Sequence, residues 1–497
     1  MKTILSSIII SILLTTNVYS QRKIFNILSF GAIGDGKTMN TSEIQKTIDA
    51  ASSAGGGRVL IPEGKFVTGV IHLKSNVELH LAKGTILYGS AKRTDYGPSN
   101  ASALIMATDQ HNISITGRGI IDGQGEELLK DIYIMLNAGT LKDLEWKTFN
   151  PWHQMRPEER NRPKILQILN CDSVAVKGIT LKNGLCWIQD YNNSSNIIID
   201  SIEVESNTFW NNDGIDLTDC RNAMITNCSI NSDDDGICLK SSDRNRCCQN
   251  IFVSNCTVRA SASAIKLGTA SRGGFKKITI HDIKVYDTYR SAIAIECVDG
   301  GILEDVDVRN IKATNTGNAI FIRLGHRNKD SVISSLHNIY IGNITAEIPR
   351  DKPDKGYPME GPTLNYPHNV FPSSITGIPG HPVKDVTLEN IDLVYQGGAE
   401  KGIAYFAIDS LTKVPESESE YPEFSMFGEL PASGMYVRHV EGLQMKNIRF
   451  RYREDDFRPV FVFDDVNNLM LTLINIIKAN NNSPIILNNV NRANIQN

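Results

Sequence analysis

The sequence is short of the features that mark several protein classes. Lysine and arginine number 51 against 55 aspartate and glutamate, a formal net charge of −4. That leaves no basic field to hold nucleic acid or an anionic membrane. Beyond residue 20 no run reaches 18 uninterrupted apolar residues, so no membrane span is expected. No Cys-x-x-Cys pair is matched by a second Cys or His pair, so no zinc site is expected. Helical periodicity is almost absent through the middle of the chain, and no Trp-Asp blade signature of a propeller occurs. What is present is 497 residues, 41% apolar and 21% charged. This is ample for a large core and far from a disordered or collagen-like composition. Asn and Gly are abundant, and Asn often stands just before a short Ile/Val run.

Residues 1–20 carry Lys2, an apolar run from Ile8 to Leu14, then Val18-Tyr19-Ser20. The run is too short to span a bilayer and has the order of an export signal, with cleavage ahead of Gln21. The expected location is therefore periplasmic or extracellular. Nine cysteines in such a chain raise the question of disulfides, and the odd number leaves at least one unpaired or paired between chains. Cys171, Cys186, Cys220, Cys228, Cys238, Cys256 and Cys297 sit inside strand-like runs and read as small buried hydrophobes. Cys247-Cys248 reads as a loop, with one of the two available for a bridge.

One pattern recurs: a polar residue or Asn, two apolar positions flanking a third, two polar residues, then the same apolar pair again. It runs over 196–204, 222–230, 250–258, 278–285, 339–346 and 386–393. Ile202, Cys228, Cys256, Ile283 and Val306 read as equivalent positions, spaced 26, 28, 27 and 23 residues apart. A second ladder starts at Asp213, Asp235, Ser263, Ser291 and Asn318, with steps of 22, 28, 28 and 27. Each rung alternates like a short strand. Strands that return every coil, separated by polar turns, mean a solenoid. The fold class is all-β, a parallel β-helix, with Asn at the coil corners because Asn tolerates left-handed backbone. Rungs about 4.8 Å apart bring residues distant in sequence side by side. A length that suggests about three domains then fits one, spanning 21–497.

The ends and insertions follow. Asn40-Thr-Ser-Glu43 has capping-box spacing, Ile44, Ile48 and Ala51 share a helical face, and Gly55-Gly56-Gly57 stops the helix. Such a helix covers the open end of the first coil. After Val306 the spacing lengthens to 38, 47 and 57 residues, and the excess is loop. The Pro-rich segment 353–382, the acidic and aromatic segment 415–431, and the insertion 131–163 with Trp146 and Trp152 are expected to build a binding wall on one side.

The chemistry concentrates in Asn211-Asn-Asp-Gly-Ile-Asp216 and Ser232-Asp-Asp-Asp-Gly-Ile-Cys-Leu-Lys240. Stacking the two Asp-Gly-Ile rungs sets Asp213 beside Asp235, with Asp234 adjacent. Like charges so close cannot all ionise freely, so one carboxyl holds its proton while another stays charged. That is the pair glycoside hydrolysis uses. Ordinary Asp-Gly turns and a calcium site are the other readings of the same residues.

These motifs resemble glycoside hydrolase family 28, the polygalacturonases and rhamnogalacturonases, over most of the mature chain. The resemblance implies a right-handed β-helix, inversion at the anomeric carbon and no metal or cofactor. It implies Asp234 as general acid and Asp213 with Asp235 as the residues that hold and deprotonate water, with the wide carboxylate spacing of inverting enzymes. The sequence departs from the polygalacturonase pattern on the next two rungs. Gly-His-Gly is replaced by Ala262-Ser263-Ala264, and Arg-Ile-Lys by Ala294-Ile295-Glu296. The expected substrate contacts are therefore Asn211, Asp216, Lys240, Lys266, Arg323 and His326. Lys266 leads them because it interrupts an apolar strand beside the acids.

The substrate implied is a plant-type pectic polysaccharide, galacturonan or rhamnogalacturonan, and a monomer suffices. A calcium-dependent polysaccharide lyase and a non-catalytic carbohydrate-binding solenoid remain as alternatives.

Overall fold

The structure is a computed structural model in which residues 23–144, 146–148, 156–398, 408–477 and 484–496 are described. The expected export signal and Trp152 lie outside these residues.

The alternating runs form strands that pair in parallel with the next coil. On one face the register is Val174, Ile197, Ala223, Ile251, Ile278, Val306, Ile339, Val386, Leu443 and Leu469. All of these are buried, so each coil adds one layer to an apolar stack. Tens of residues per coil supply only a few inward side chains, and the core exists only because the coils lie on one another.

One assignment shifts. Val306 pairs with Ile278 and Ile339, whereas the residue level with Ile283 is Ile311. The step from Ile283 is therefore 28 residues, and the next, to Ile344, is 33. The repeat unit holds two similar apolar pairs, so counting along the sequence slips from one to the other. The second ladder needs no such change: Ile215, Ile237, Ile265, Ile293 and Ile320 stand in register.

Asn holds the corners. Asn196, Asn222 and Asn250 have φ of 55°, 54° and 56°. The Asn250 amide donates to Asn222 at 3.0 Å and Asn222 to Asn196 at 3.2 Å. A second amide column joins Asn447, Asn390, Asn343 and Asn310 at 2.7, 2.9 and 3.0 Å. Each corner thus supplies a left-handed turn and a bond along the stack.

The capping helix is α1, Thr41–Ser53, with Ile44, Ile48 and Ala51 fully buried against the first coils. The capping box itself does not form. The Asn40 side chain instead accepts from Ile33 N at 2.7 Å and donates to Ile33 O and Thr38 O. It ties down the preceding loop. A second helix, α2, Gly125–Asn137, occupies the start of the 131–163 insertion and buries Leu128, Ile132 and Leu136. Their spacing of four is helical, but a reading of that segment as loop passes over it.

All nine cysteines are free, and eight are buried. Cys248 opens the strand Cys248–Ala260 and packs into the core rather than standing in a loop, so the bridge considered for this pair is absent. Among the described residues no helix is long and apolar enough to cross a membrane.

Candidate active site

Strands Ile215–Thr218, Ile237–Ser241 and Ile265–Ser271 stack in register, with Asp216, Cys238 and Lys266 level. Gly214 N donates to Asp235 O at 2.9 Å, which sets Asp213 beside Asp235. The glycines of the two Asp-Gly pairs are required by this contact. A Cβ on Gly214 would lie 2.6 Å from the Gly236 carbonyl, and one on Gly236 would lie 2.3 Å from Val258. Close stacking of coils, not turn geometry, explains the repeated Asp-Gly-Ile.

One oxygen from each of Asp213, Asp234 and Asp235 lies within 4.8 Å of the others. The three differ in their partners. Lys240 Nζ bonds Asp213 Oδ2 at 2.8 Å and also Asp216. Lys266 Nζ bonds Asp235 Oδ2 at 3.0 Å, and Ser263 N donates to Asp235 Oδ1 at 3.0 Å. Among the described residues no cation pairs with Asp234, whose contacts are Asp235 N at 3.0 Å and the Asn211 amide at 3.4 Å. Burial, reinforced by Asp213 and Asp235, pushes the Asp234 carboxyl up to about 7 against the pull of Arg290 and Lys266. Burial acts on Asp235 in the same direction, but Lys266, Lys240 and Arg290 outweigh it and hold that carboxyl below its ordinary value. The cluster therefore contains a proton donor beside a charged base.

The nearest oxygens lie within 4.8 Å of one another, shorter than the wide spacing expected; the roughly 6.5–9.5 Å of inverting enzymes is counted between whole carboxyl groups. Asp234 and Asp235 are neighbours in the chain, and stacking of coils about 4.8 Å apart brings Asp213 to Asp235.

A family model described as "Glycosyl hydrolases family 28" matches residues 52–411. The chain belongs to this family. It is 24% identical over 389 residues to a probable polygalacturonase of Vitis vinifera, covering 74% of this chain and 69% of the relative. It is 27% identical over 271 residues to an exo-poly-alpha-D-galacturonosidase of Dickeya chrysanthemi, covering 45% of this chain and 43% of the relative. Among solved structures it superposes on a hyperthermoactive exopolygalacturonase from Thermotoga maritima with a TM-score of 0.62 at 22% identity, covering 86% of this chain and 92% of the other. The Yersinia enterocolitica family 28 exopolygalacturonase gives 0.58 at 18% identity, with 95% and 78% covered. The fold is the right-handed parallel β-helix of family 28, and the protein is a glycoside hydrolase.

Within this family 28 site the expected contacts divide. Asn211, Asp213, Asp216, Asp234, Asp235, Lys240 and Lys266 come together. Asp216 is fully buried and holds Lys240; burial, then Asp213, raises its carboxyl well above the usual range despite that lysine. Lys266 is buried, and its ammonium reaches both Asp235 and the Tyr421 hydroxyl at 3.1 Å. Arg323 and His326 stand apart. The buried Arg323 guanidinium bonds Gly377 O at 2.9 Å, Glu416 O at 2.6 Å and Ser417 O at 3.0 Å. His326 Nε2 meets Asp330 O at 2.7 Å. Both hold loops and lie outside the cluster; of the expected residues, Asn211 and Asp234 line the cleft described next.

A cavity of about 720 Å³ opens over Asp234, lined by Asn211, Asp233, Ser261 and Arg290 from the coils. Gly361 and Pro362 come from one long loop, Ser417, Glu420, Tyr421, Glu423 and Met426 from the other, and Arg156 from the insertion. The expectation that these three segments wall the site is met.

Arg290 was legible but missed. It precedes Ser291 as Asp234 precedes Asp235, the same corner two coils on, and its Nη2 lies 3.4 Å from Glu423. Tyr421, Glu423 and Arg156 belong to loops without a repeat, so no column marks them. At the altered rung, Glu296 is buried and accepts from Thr269 at 3.1 Å. Burial pushes its carboxyl up to about 7, against the pull of Lys266.

Proposed function

We propose that this protein is an exported hydrolase of galacturonosidic linkages in pectic polysaccharide, galacturonan or rhamnogalacturonan. Asp234 protonates the glycosidic oxygen. Asp213 and Asp235 hold and deprotonate the attacking water. The single observation that carries this reading is the contrast at one corner: a high-pKa Asp234 facing the cleft, without an ion pair among the described residues, beside an Asp235 locked in its charged form by Lys266.

The reading includes inversion, although the spacing is short. Both oxygens of Asp235 are engaged, by Lys266 and Ser263 N, and Asp213 is held by Lys240. Carboxylates fixed in this way are placed to orient and deprotonate a water. The same contacts argue against the lyase alternative. Ca²⁺ needs about six to eight oxygen ligands, and two ammonium groups already occupy the carboxylate oxygens it would use.

The test is a set of defined pectic oligosaccharides with product stereochemistry followed by NMR. Inverted product and a loss of about 10²–10⁴-fold in kcat for Asp234→Asn are expected. Retained configuration, or full activity of Asp234→Asn on every substrate the wild type cleaves, would sink the mechanism. A new ultraviolet-absorbing unsaturated product would point to elimination instead.

A further inference from the structure

An anionic sugar chain entering this cleft meets many carboxylates. Asp234 lies at its floor, and Asp233, Glu420 and Glu423 add to the walls. The carboxylates of the chain itself call for a cation, and the cations around the acids are nearly all committed. Lys240 holds Asp213 and Asp216, and Lys266 holds Asp235. Arg259 pairs with Asp233 at 3.2 Å, both side chains fully buried, and Arg290 pairs with Glu423. Among the described residues, Arg156 is the one cation lining the cleft whose guanidinium makes neither an ion pair nor a hydrogen bond.

Its neighbourhood also lacks a counter-charge in contact. Arg162 donates to Pro157 O, Leu185 O, Trp210 O and the Asn211 amide oxygen, all of them neutral. Burial, and then the nearness of Arg162, depress the Arg156 guanidinium; Asp234 and Glu159 oppose this from a distance without pairing. A half-buried guanidinium beside a second one, with its donors unused, is poised for an incoming anion.

We propose that Arg156 binds the carboxylate of a galacturonate unit next to the scissile bond, and that it thereby makes the enzyme prefer the free acid over its methyl ester. This rests on the hydrolase reading above. A guanidinium presents a planar pair of N–H donors that matches a carboxylate, which an ester offers only weakly. The residue does the work of recognition from an insertion, on a chain whose coil-borne Arg-Ile-Lys is replaced by Ala294-Ile295-Glu296.

The experiment compares wild type, Arg156→Gln and Arg156→Lys on oligogalacturonate and on the same oligomer fully methyl-esterified. For Arg156→Gln, kcat/KM on the free acid should fall about tenfold to a hundredfold while the ester rate barely moves. Arg156→Lys should recover part of the preference through charge alone. If Arg156→Gln keeps the wild-type preference for acid over ester, this inference is wrong while the hydrolase reading stands. An equal loss on both substrates overturns it too, since that marks damage to the fold and not carboxylate recognition. If wild type cleaves neither oligomer nor any other pectic fraction, both readings fall together.

Discussion

Coils 213–266 and coils 296–464 carry charged residues on the same side of the same ladder, and they use them differently. In the early coils Lys240 and Lys266 are directed at carboxylates, and one acid, Asp234, faces the cleft with no cation paired to it among the described residues. In the later coils Glu296, Arg323, Thr376, Arg438 and Asp464 stand level with one another. There Arg438 bonds Glu416 and Asp464, and Arg323 bonds the Glu416 and Ser417 carbonyls. The later charges anchor the root of the loop whose Ser417, Glu420 and Tyr421 line the cleft. A repeat supplies equivalent positions. Whether one of them is chemical or structural depends on which loop covers it.

The largest effect should come from breaking the early arrangement at Lys266. Its ammonium and Asp235 are both buried, and removing one partner of such a pair costs about 3–5 kcal/mol. Lys266→Met should lose about that much stability in denaturant unfolding. It should also move the acidic limb of the pH–rate profile to higher pH. The sign follows from the cause: burial raises the Asp235 carboxyl, Lys266 is the strongest influence holding it down, and without that lysine the base protonates sooner. A profile that keeps its acidic limb would separate Asp235 from the base role.

The ladder explains how much of this was legible in the sequence. The second ladder's register and the meeting of Asp213 with Asp235 follow from counting, because every coil there closes in 22 to 28 residues. The Val306 assignment fails because two apolar pairs per coil look alike. Arg323 reads as an outward cation on a late rung and so as a substrate contact. Only the loop from residue 415 onward, which has no repeat, decides that it is covered. The same holds for Tyr421, Glu423 and Arg156: their positions depend on how irregular segments fold back over the coils. Column counting carries no information about them.

A smaller effect is expected at Arg323, on the later side of the comparison. Arg323→Met leaves the Gly377, Glu416 and Ser417 carbonyls without their donor, at a cost of about 2–3 kcal/mol once water reaches some of them. Since the variant loosens a wall and leaves the acids in place, KM should rise several-fold with kcat nearly unchanged. A fall in kcat with KM unchanged would instead put Arg323 in the chemistry, and the contrast between early and late coils would fail.

The smallest effect should appear at His439, which fastens the same loop root from the outside. Its Nε2 lies 3.1 Å from Glu416 and its Nδ1 2.6 Å from Asp465, with Arg438 also near. Burial disfavours the imidazolium, but Glu416 and Asp465 outweigh burial and Arg438, so the folded-state value is raised. A raised histidine contributes stability that is fully present below its unfolded value of about 6.5 and disappears as pH rises through the folded value. The pair is partly exposed, so the contribution is under about 1 kcal/mol. His439→Gln should therefore be less stable than wild type near pH 5.5 and match it near pH 9, as read from melting temperatures on either side of about 6.5. A deficit that stays the same at pH 9 would mean that neutral hydrogen bonds, and not the charge, hold the loop root, and the later coils would then rely on uncharged contacts rather than on ion pairs.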